Sequence, residues 1–399
     1  MRQALLLGTL LVLVVVVLKL TPVAGQSQTP LQTPWGEPDL QGLWTNYEYT
    51  PLQRSDIYGD REFLSAEERA ELDGETASKE GRDYRNLEAF PRGTVNDLQG
   101  SYNDVYRLRK HVGARTSLIV DPPDGRMPPY APEALKRQED WRAFQLALLQ
   151  ASPACRDQER SCAGGEYGPV SPRYLDPAPI YAVRGVNRSD NPDDHGLIVR
   201  CLGGYLAGGN GPSFASTGYS DIRRIVQTPG GIAMEYDQGQ GQGWQRHIVM
   251  DGSPHLPSHI RQWWGDSRGH WEGDTLVIDV TNFTAKSDFF GSRENLHLIE
   301  RYTRTGPTTL EWVVTLEDPT TWTRPWTVTV ELTKQDEEAN RFYPEPRCHE
   351  GNYGLPGILR GAREDEAQFA EGSGPNPAET CITGCSYVPD DDPERDTVF

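Results

Sequence analysis

From about residue 220 to 348, apolar and polar residues alternate with a period of two. Thr275–Phe283 places Leu276, Ile278 and Val280 on one face and Asp279 and Thr281 on the other. Leu310–Glu317 repeats the pattern with Leu310, Trp312, Val314 and Leu316, and Trp326–Thr333 with Trp326, Val328, Val330 and Leu332. Shorter runs fall at Arg223–Thr228, Gly231–Tyr236, Arg246–Met250, His297–Arg304 and Arg341–Arg347. Turn signals separate them, among them Pro229-Gly230-Gly231, Glu272-Gly273-Asp274 and Thr305-Gly306-Pro307. Residues two apart share one side of a strand, so the pattern predicts about eight half-buried strands in an antiparallel meander. That many strands can close into a barrel of lipocalin or calycin type, which removes exposed edges and leaves room for a small ligand. A β-sandwich satisfies the same pattern.

Upstream the periodicity disappears. Residues 26–200 are punctuated by Asp121-Pro122-Pro123-Asp124-Gly125, Met127-Pro128-Pro129 and Asp176-Pro177-Ala178-Pro179, which are turn and loop signals. Two helices are predicted within this stretch. One starts at Ser65, with Glu68 placed to complete a capping box. The other runs from Pro132 to Gln150 with Leu135, Trp141, Phe144 and Leu148 on its apolar face. The stretch has too few apolar runs for a domain of its own and reads as an arm wrapped on a mainly β core spanning 201–364. Residues 1–25 read as a signal peptide: Arg2, an apolar run from Ala4 to Leu18, then small residues before Gln26. Residues 365–399 read as an acidic, disordered tail.

Charge and cysteine content narrow the setting. Lys plus Arg number 39 against 58 Asp plus Glu, a net charge of −19. That deficit argues against a nucleic-acid partner, which is held through phosphates by cationic side chains. Beyond the N-terminal run nothing approaches the roughly 18 apolar residues of a membrane helix. The six cysteines suit an oxidising compartment. Cys155 and Cys162 are close enough to pair, as are Cys381 and Cys385, which leaves Cys201 for Cys348, although other connectivities fit the count equally.

Several separated strings share a further property. Residues 254–279 read PHLPSHIRQWWGDSRGHWEGDTLVID, residues 294–304 ENLHLIERYTR, 318–326 DPTTWTRPW and 348–354 CHEGNYG; upstream, 115–126 reads RTSLIVDPPDGR. In content and order these strings resemble a large uncharacterised family of secreted bacterial proteins. The resemblance covers most of residues 35–364. It implies export and carries no reaction with it. The Cys155–Cys162 segment and the tail after about 365 depart from the shared pattern.

Candidate chemistry centres on polar residues embedded among the strands. Glu300 shares a face with Leu298 and Tyr302, where a carboxylate needs a partner; Arg301, Arg304 and Arg324 are the candidates. His349 and Glu350 follow Cys348. His255, Arg261 and Asp266 lie in one loop, beside Trp263 and Trp264. Histidine with carboxylate and arginine is a minimal kit for proton transfer on a small molecule, and the adjacent tryptophans supply an aromatic contact. Gly265-Asp266-Ser267-Arg268-Gly269 matches a nucleophile elbow literally, but an elbow needs a strand before the serine and a helix after it. A tight loop is the better expectation for these residues. His255-x-x-x-His259 has metal-ligand spacing, yet Pro254 and Pro257 exclude the helix that would align the rings. No metal is therefore expected, and no nucleotide cofactor either, since neither a P-loop nor a dinucleotide fingerprint occurs.

Two functional readings follow. In the first, an exported enzyme of lyase, isomerase or cyclase type uses His255, Glu300, His349, Glu350 and Asp266 for acid–base work in a barrel cavity, with Arg261, Trp263, Trp264 and Arg324 holding a small-molecule substrate. In the second, the barrel is a non-catalytic periplasmic binder of a lipophilic or sugar ligand.

Overall fold

The computed structural model describes residues 31–46, 48–79, 111–179, 185–203, 211–212, 214, 222–237, 244–337, 348–349 and 352–381. The chain divides into two compact units, Met1–Asp39 and Leu40–Phe399. Of the first, residues 31–39 are described; they form a turn closed by backbone bonds from Thr33 N–H to Glu37 O (2.8 Å) and from Asp39 N–H to Leu31 O (2.9 Å). The second is described on its own below.

Its described residues form twelve strands: β1 (Gly42–Thr45), β2 (Glu48–Tyr49), β3 (His111–Val112), β4 (Ile119–Asp121), β5 (Ile222–Thr228), β6 (Gly231–Asp237), β7 (Trp244–Val249), β8 (Asp266–Glu272), β9 (Thr275–Thr281), β10 (His297–Arg304), β11 (Thr309–Glu317) and β12 (Trp326–Lys334). β5 through β12 follow one another in space, and β1 pairs with both β5 and β12. The result is a closed 9-strand barrel. The protein is mainly β, as the alternation predicts, and it is a barrel and not a sandwich. β4 adds to β12 from outside the closed set, and β2 and β3 form a small parallel pair.

The inner face is built from every second residue. Leu276, Ile278 and Val280 on β9, Leu298, Glu300 and Tyr302 on β10, Trp312, Val314 and Leu316 on β11, and Trp326, Val328 and Leu332 on β12 are all buried. Register brings them into rows, with Glu300 between Ile278 and Val314, and Tyr302 between Leu276 and Trp312. Phe214 enters this core from outside the strands. Its ring lies 5.7 Å from Phe289, 6.5 Å from Phe290, 6.3 Å from Trp312 and 6.2 Å from Trp326, centroid to centroid. At that packing each large apolar side chain contributes roughly 1.5–3 kcal/mol.

Two staves differ from the sequence expectation. β1 comes from the stretch that reads as an irregular arm. β8 occupies the residues expected to form a tight loop. Both carry glycine, which hides a strand from a propensity reading. Gly265 before β8 has φ +71°, and a Cβ there would sit 2.7 Å from Val280 Cγ1 and 2.8 Å from Thr281 O, so only glycine fits. The strand expected at Arg341–Arg347 lies outside the described residues.

The barrel is antiparallel at every join but one: β7 and β8 run parallel, with Ile248 opposite Ser267 and Val249 opposite Arg268. A parallel neighbour cannot be reached through a hairpin. The chain between them, Met250–Gly265, has to travel back along the barrel, and it carries five of the residues singled out above.

Outside the barrel, the helix Pro132–Leu149 buries Ala134, Phe144, Leu148 and Leu149. Phe144 and Leu148 pack with Val186 in a small second core. Leu135, expected on the buried face, is 46% exposed; Ala134 takes its place. Arg137 fastens the helix to the barrel end by donating to Thr320 O (3.2 Å) and Thr321 Oγ1 (3.1 Å). A second long helix, Gly354–Ala370, runs into the segment expected to be disordered. Its polar side chains are spaced for helical pairing, as in the ion pair of Arg363 with Glu366 and the hydrogen bond from Gln368 to Glu364. Among the described residues no helix is long and apolar enough to cross a membrane.

Cys155 bonds Cys162 and Cys201 bonds Cys348. Cys381 is also disulfide-bonded, and Cys385 lies outside the described residues. Such bonds fit an oxidising compartment. The Cys201–Cys348 bridge closes a separation of 147 residues, a long loop whose closure restricts the unfolded chain strongly. Replacing both by serine is expected to destabilise the protein by about 2–5 kcal/mol, read as a lower urea midpoint with an intact native spectrum.

Candidate functional site

Two polar assemblies sit on opposite faces of one barrel wall. The inner one is centred on Glu300, whose side chain has no solvent exposure. Its partner is Arg246 on β7, with Nη1 2.8 Å from Oε1, and not Arg301, Arg304 or Arg324. Arg301 pairs with Glu272 at 2.6 Å, Arg304 donates to the carbonyls of Gly306 and Pro307, and Arg324 pairs with Asp121 at 2.7 Å. The other carboxylate oxygen of Glu300 accepts from Tyr302 Oη (3.2 Å) and Trp312 Nε1 (3.1 Å). Arg246 further donates to Tyr236 Oη (3.2 Å) and Ser267 Oγ (3.1 Å). Arg223 lies 4.1 Å over the Trp312 ring, a cation–π contact. Burial alone would pull the Arg246 guanidinium down, but Glu300 beside it and the Tyr236 and Tyr302 hydroxyls hold it above its ordinary range. Burial, with Tyr236 and Glu300 nearby, pushes the Tyr302 phenol well up. Ser267 is therefore a hydrogen-bond acceptor in a strand and not a nucleophile on an elbow.

Arg246 also faces a cavity at the end of the barrel where β8 and β10 begin. Tyr236, Trp264, Phe283, Leu298, Gly211 and Pro212 line it with Arg246. Its volume is ≈ 10 Å³, room for about one water. Gly211 is needed there, because a Cβ would overlap the Phe289 ring. Arg246 Nε is buried with no hydrogen-bond acceptor among the described residues.

The outer assembly is a row of alternating carboxylates and imidazoles across β8 to β11. His255 places Nδ1 2.8 Å from Asp266 Oδ2 and Nε2 2.9 Å from Asp279 Oδ1. Asp279 Oδ2 lies 3.1 Å from His297 Nε2, and His297 Nδ1 lies 3.2 Å from Glu317 Oε2. Arg268 grips Asp266 with two nitrogens, at 3.1 and 3.2 Å. The Leu256 N–H adds a bond to Asp266 at 3.0 Å. An ionised carboxylate only accepts, so both nitrogens of each ring donate when the imidazole is cationic. Three carboxylates, two imidazoliums and the Arg268 guanidinium then sum to zero charge.

The titration of these groups follows the contacts. Burial would raise Asp266, but the Leu256 N–H, His255 and Arg268 outweigh it and hold the carboxyl below its usual range. The hydrogen bond from His297 is the largest influence on Asp279; with the His255 contacts it lowers that carboxyl against the opposing effect of burial. The bond to Asp279 raises His297, again against burial, with Glu317 adding to the rise.

The structure joins His255 to Asp266 but separates them from Glu300, which faces the other side of the wall. His349 is exposed beside the Cys201–Cys348 bridge, and Glu350 lies outside the described residues. Of the expected acid–base residues, the structure thus joins His255 with Asp266 and sets Glu300 on the opposite face of the wall. Arg261 donates to the carbonyls of Glu294 (2.7 Å) and Phe283 (3.5 Å), a brace for the crossover loop. Trp264 lines the cavity, whereas Trp263 does not. Among the described residues no group of three or more His, Cys, Asp or Glu side chains is arranged to hold a metal ion. Arg246, Asp279, His297 and Glu317 were not singled out by their sequence context. Their only signal is alternation: each is a charged or imidazole residue within an alternating run, and pairing them requires the register.

No protein-family model and no curated protein matches the chain. Among solved structures the chain is similar to the fluorescent protein UnaG, wild type, at 15% identity over 29% of this chain and 72% of that one, with a TM-score of 0.18. A mutant of the same protein matches at 15% identity over 35% and 86%, with a TM-score of 0.19. Superpositions this slight carry no argument about function.

The outer array has a defined pH window. His297, raised above its ordinary 6.5, contributes stability that is full below that value and is lost as pH rises through the folded-state pKa. Asp279, lowered from its ordinary 3.8, contributes stability present above that value and lost as pH falls through its folded-state pKa. NMR titration of His297 should give a pKa above 6.5, and Asp279→Asn should bring it down toward the ordinary value. An unchanged midpoint in the variant contradicts the pairing.

Proposed function

We propose that the protein is an exported binding protein, and that it takes a small amphipathic molecule whose hydrogen-bond-accepting group meets Arg246. The observation that carries this reading is the placement of Arg246: buried, lining a cavity with otherwise aromatic and aliphatic walls, and holding a donor, Nε, with no acceptor among the described residues. Buried donors are almost always satisfied, so a guest that brings an acceptor suits the site. Binding sites of this kind are apolar with a few placed polar groups. The present cavity holds about one water, so a larger guest requires the Gly211–Pro212 wall to yield.

The binding reading is favoured over acid–base catalysis by the state of the inner face. Glu300 is already neutralised by Arg246 and accepts from two further donors. The strand histidines His247, His270 and His297 alternate outward. Export is supported by the disulfides and by the apolar run at Ala4–Leu18.

The test uses two fluorescent probes of similar apolar body, anilinonaphthalene sulfonate and the uncharged phenylnaphthylamine. Removing Arg246 alone strands a buried charge at a cost of about 3–5 kcal/mol, so the variant is Arg246→Met with Glu300→Leu. Wild-type protein is expected to bind the anionic probe more tightly than the neutral one. The double variant should lose about tenfold in affinity for the anion, in line with one charge-assisted bond, while keeping the neutral probe. Failure of wild-type protein to bind either probe overturns the reading.

A further inference from the structure

The crossover loop Met250–Gly265 is tied to the outer wall at its middle and to the cavity at its end. We propose that the His255 imidazolium, bridging Asp266 and Asp279, positions the Trp264 wall of the cavity, so that guest binding weakens as the bridge is lost at rising pH. This rests on the binding reading above, and names how that same site is regulated.

Three observations carry it. First, the bridge is a hydrogen-bond arrangement only the cation can complete. Neutral imidazole has one donor nitrogen and one acceptor nitrogen; set between two carboxylates, it must turn an acceptor toward an acceptor. Deprotonation of His255 and His297 therefore removes two charge-assisted bonds and leaves the array at a net charge of −2 with Arg268 counted.

Second, the bridge is continuous with the cavity walls. Leu256, next to His255, donates to Asp266 and accepts from Asn282 Nδ2 at 2.7 Å. The same Asn282 accepts through its carbonyl from Gln262 N–H at 2.9 Å. Phe283, the residue after Asn282, lines the cavity, and so does Trp264, two residues after Gln262. Asp266 itself follows Trp264 by two residues. A loss of grip at His255 thus reaches both walls through one asparagine and one carboxylate.

Third, among the described residues no other charged group completes the bridge from neighbouring elements. Asp266 and Arg268 face it from β8, with Arg268 Nη1 also holding Ser253 Oγ at 2.7 Å. Asp279 faces it from β9, His297 from β10 and Glu317 from β11. Farther along the same outer face, His270, Glu272 and Arg301 form a separate group, at 3.2 and 2.6 Å. Arg261 is engaged with backbone carbonyls.

The experiment measures anilinonaphthalene sulfonate binding at pH about 5.5 and about 8.5, on either side of the ordinary imidazole range. The sulfonate keeps its charge throughout. Amide hydrogen exchange of residues 251–264, corrected for the intrinsic pH dependence of exchange, is followed in the same samples. Wild-type protein should bind the probe about three- to tenfold more weakly at the higher pH, with a parallel loss of protection. His255→Gln, which donates from one side only, should show the weaker binding at both pH values. His270→Gln, outside the array, should behave as wild type. Probe binding that ignores pH, or a pH dependence that survives in His255→Gln, overturns the proposal and leaves the binding reading intact. Absence of probe binding at either pH overturns both.

Discussion

Two neighbouring staves that run parallel cannot be joined by a tight turn; the chain must return along the barrel before the second stave begins. In this protein the constraint falls between β7 and β8, and the sixteen residues Met250–Gly265 meet it. The return path lies outside the wall because the inside is filled by Trp312, Trp326, Tyr302 and Phe214. A loop on the outside of a barrel has backbone groups to satisfy. Here Asp266 of β8 and Asn282, just past β9, satisfy them: the Asp266 carboxylate receives the Leu256 N–H, and the Asn282 carbonyl receives the Gln262 N–H. His255 grips the same wall with its ring. The outer ionic row is therefore a consequence of one parallel join in an otherwise antiparallel barrel.

The inner face answers a different demand. A carboxylate taken wholly out of water is tolerated only when paired and hydrogen-bonded. Glu300 is met by a guanidinium, a phenol and an indole, and the Arg246 that neutralises it sits three staves away on β7. That contact reaches across the inner face, and it exists only once β7 to β10 have curved into a wall. It binds β7, the stave with only two residues of pairing to β8, to the well-paired β9–β12 half. An ion pair here adds specificity of closure more than net stability, since apolar residues of similar volume would fill the space equally well.

How much of this was legible in the sequence depends on the range of the interaction. The inward rows of β9, β11 and β12 follow from alternation alone, because a strand's two faces are set locally. Glu300 on the inner face was legible for the same reason. Its partner was not: Arg301, Arg304 and Arg324 are near in sequence, but Arg301 alternates outward and Arg324 lies before β12 begins. β8 was hidden by glycines that its packing demands; a Cβ at Gly269 would sit 2.7 Å from Ile248 Cγ2. β1 was hidden by its length of four residues among prolines and glycines. The His255–Asp266 contact was half legible, since the two are eleven residues apart in sequence, but Asp279, His297 and Glu317 join them only through the register of three strands.

Alternation also explains why the two assemblies need not interfere. Asp279 and Ile278 are neighbours in sequence, yet one belongs to the outer row and the other touches Glu300's row inside. The sheet itself lies between the two assemblies, so the outer charges are screened by solvent and the inner pair is not. A substitution at Asp279 changes the grip of the crossover loop without entering the inner network, and one at Glu300 does the reverse. What connects the two faces is covalent: Asp266 turns outward and Ser267 inward on consecutive residues of β8, immediately after Trp264. The stave that begins with the cavity wall is thus held from both sides, by Arg246 through Ser267 and by His255 through Asp266.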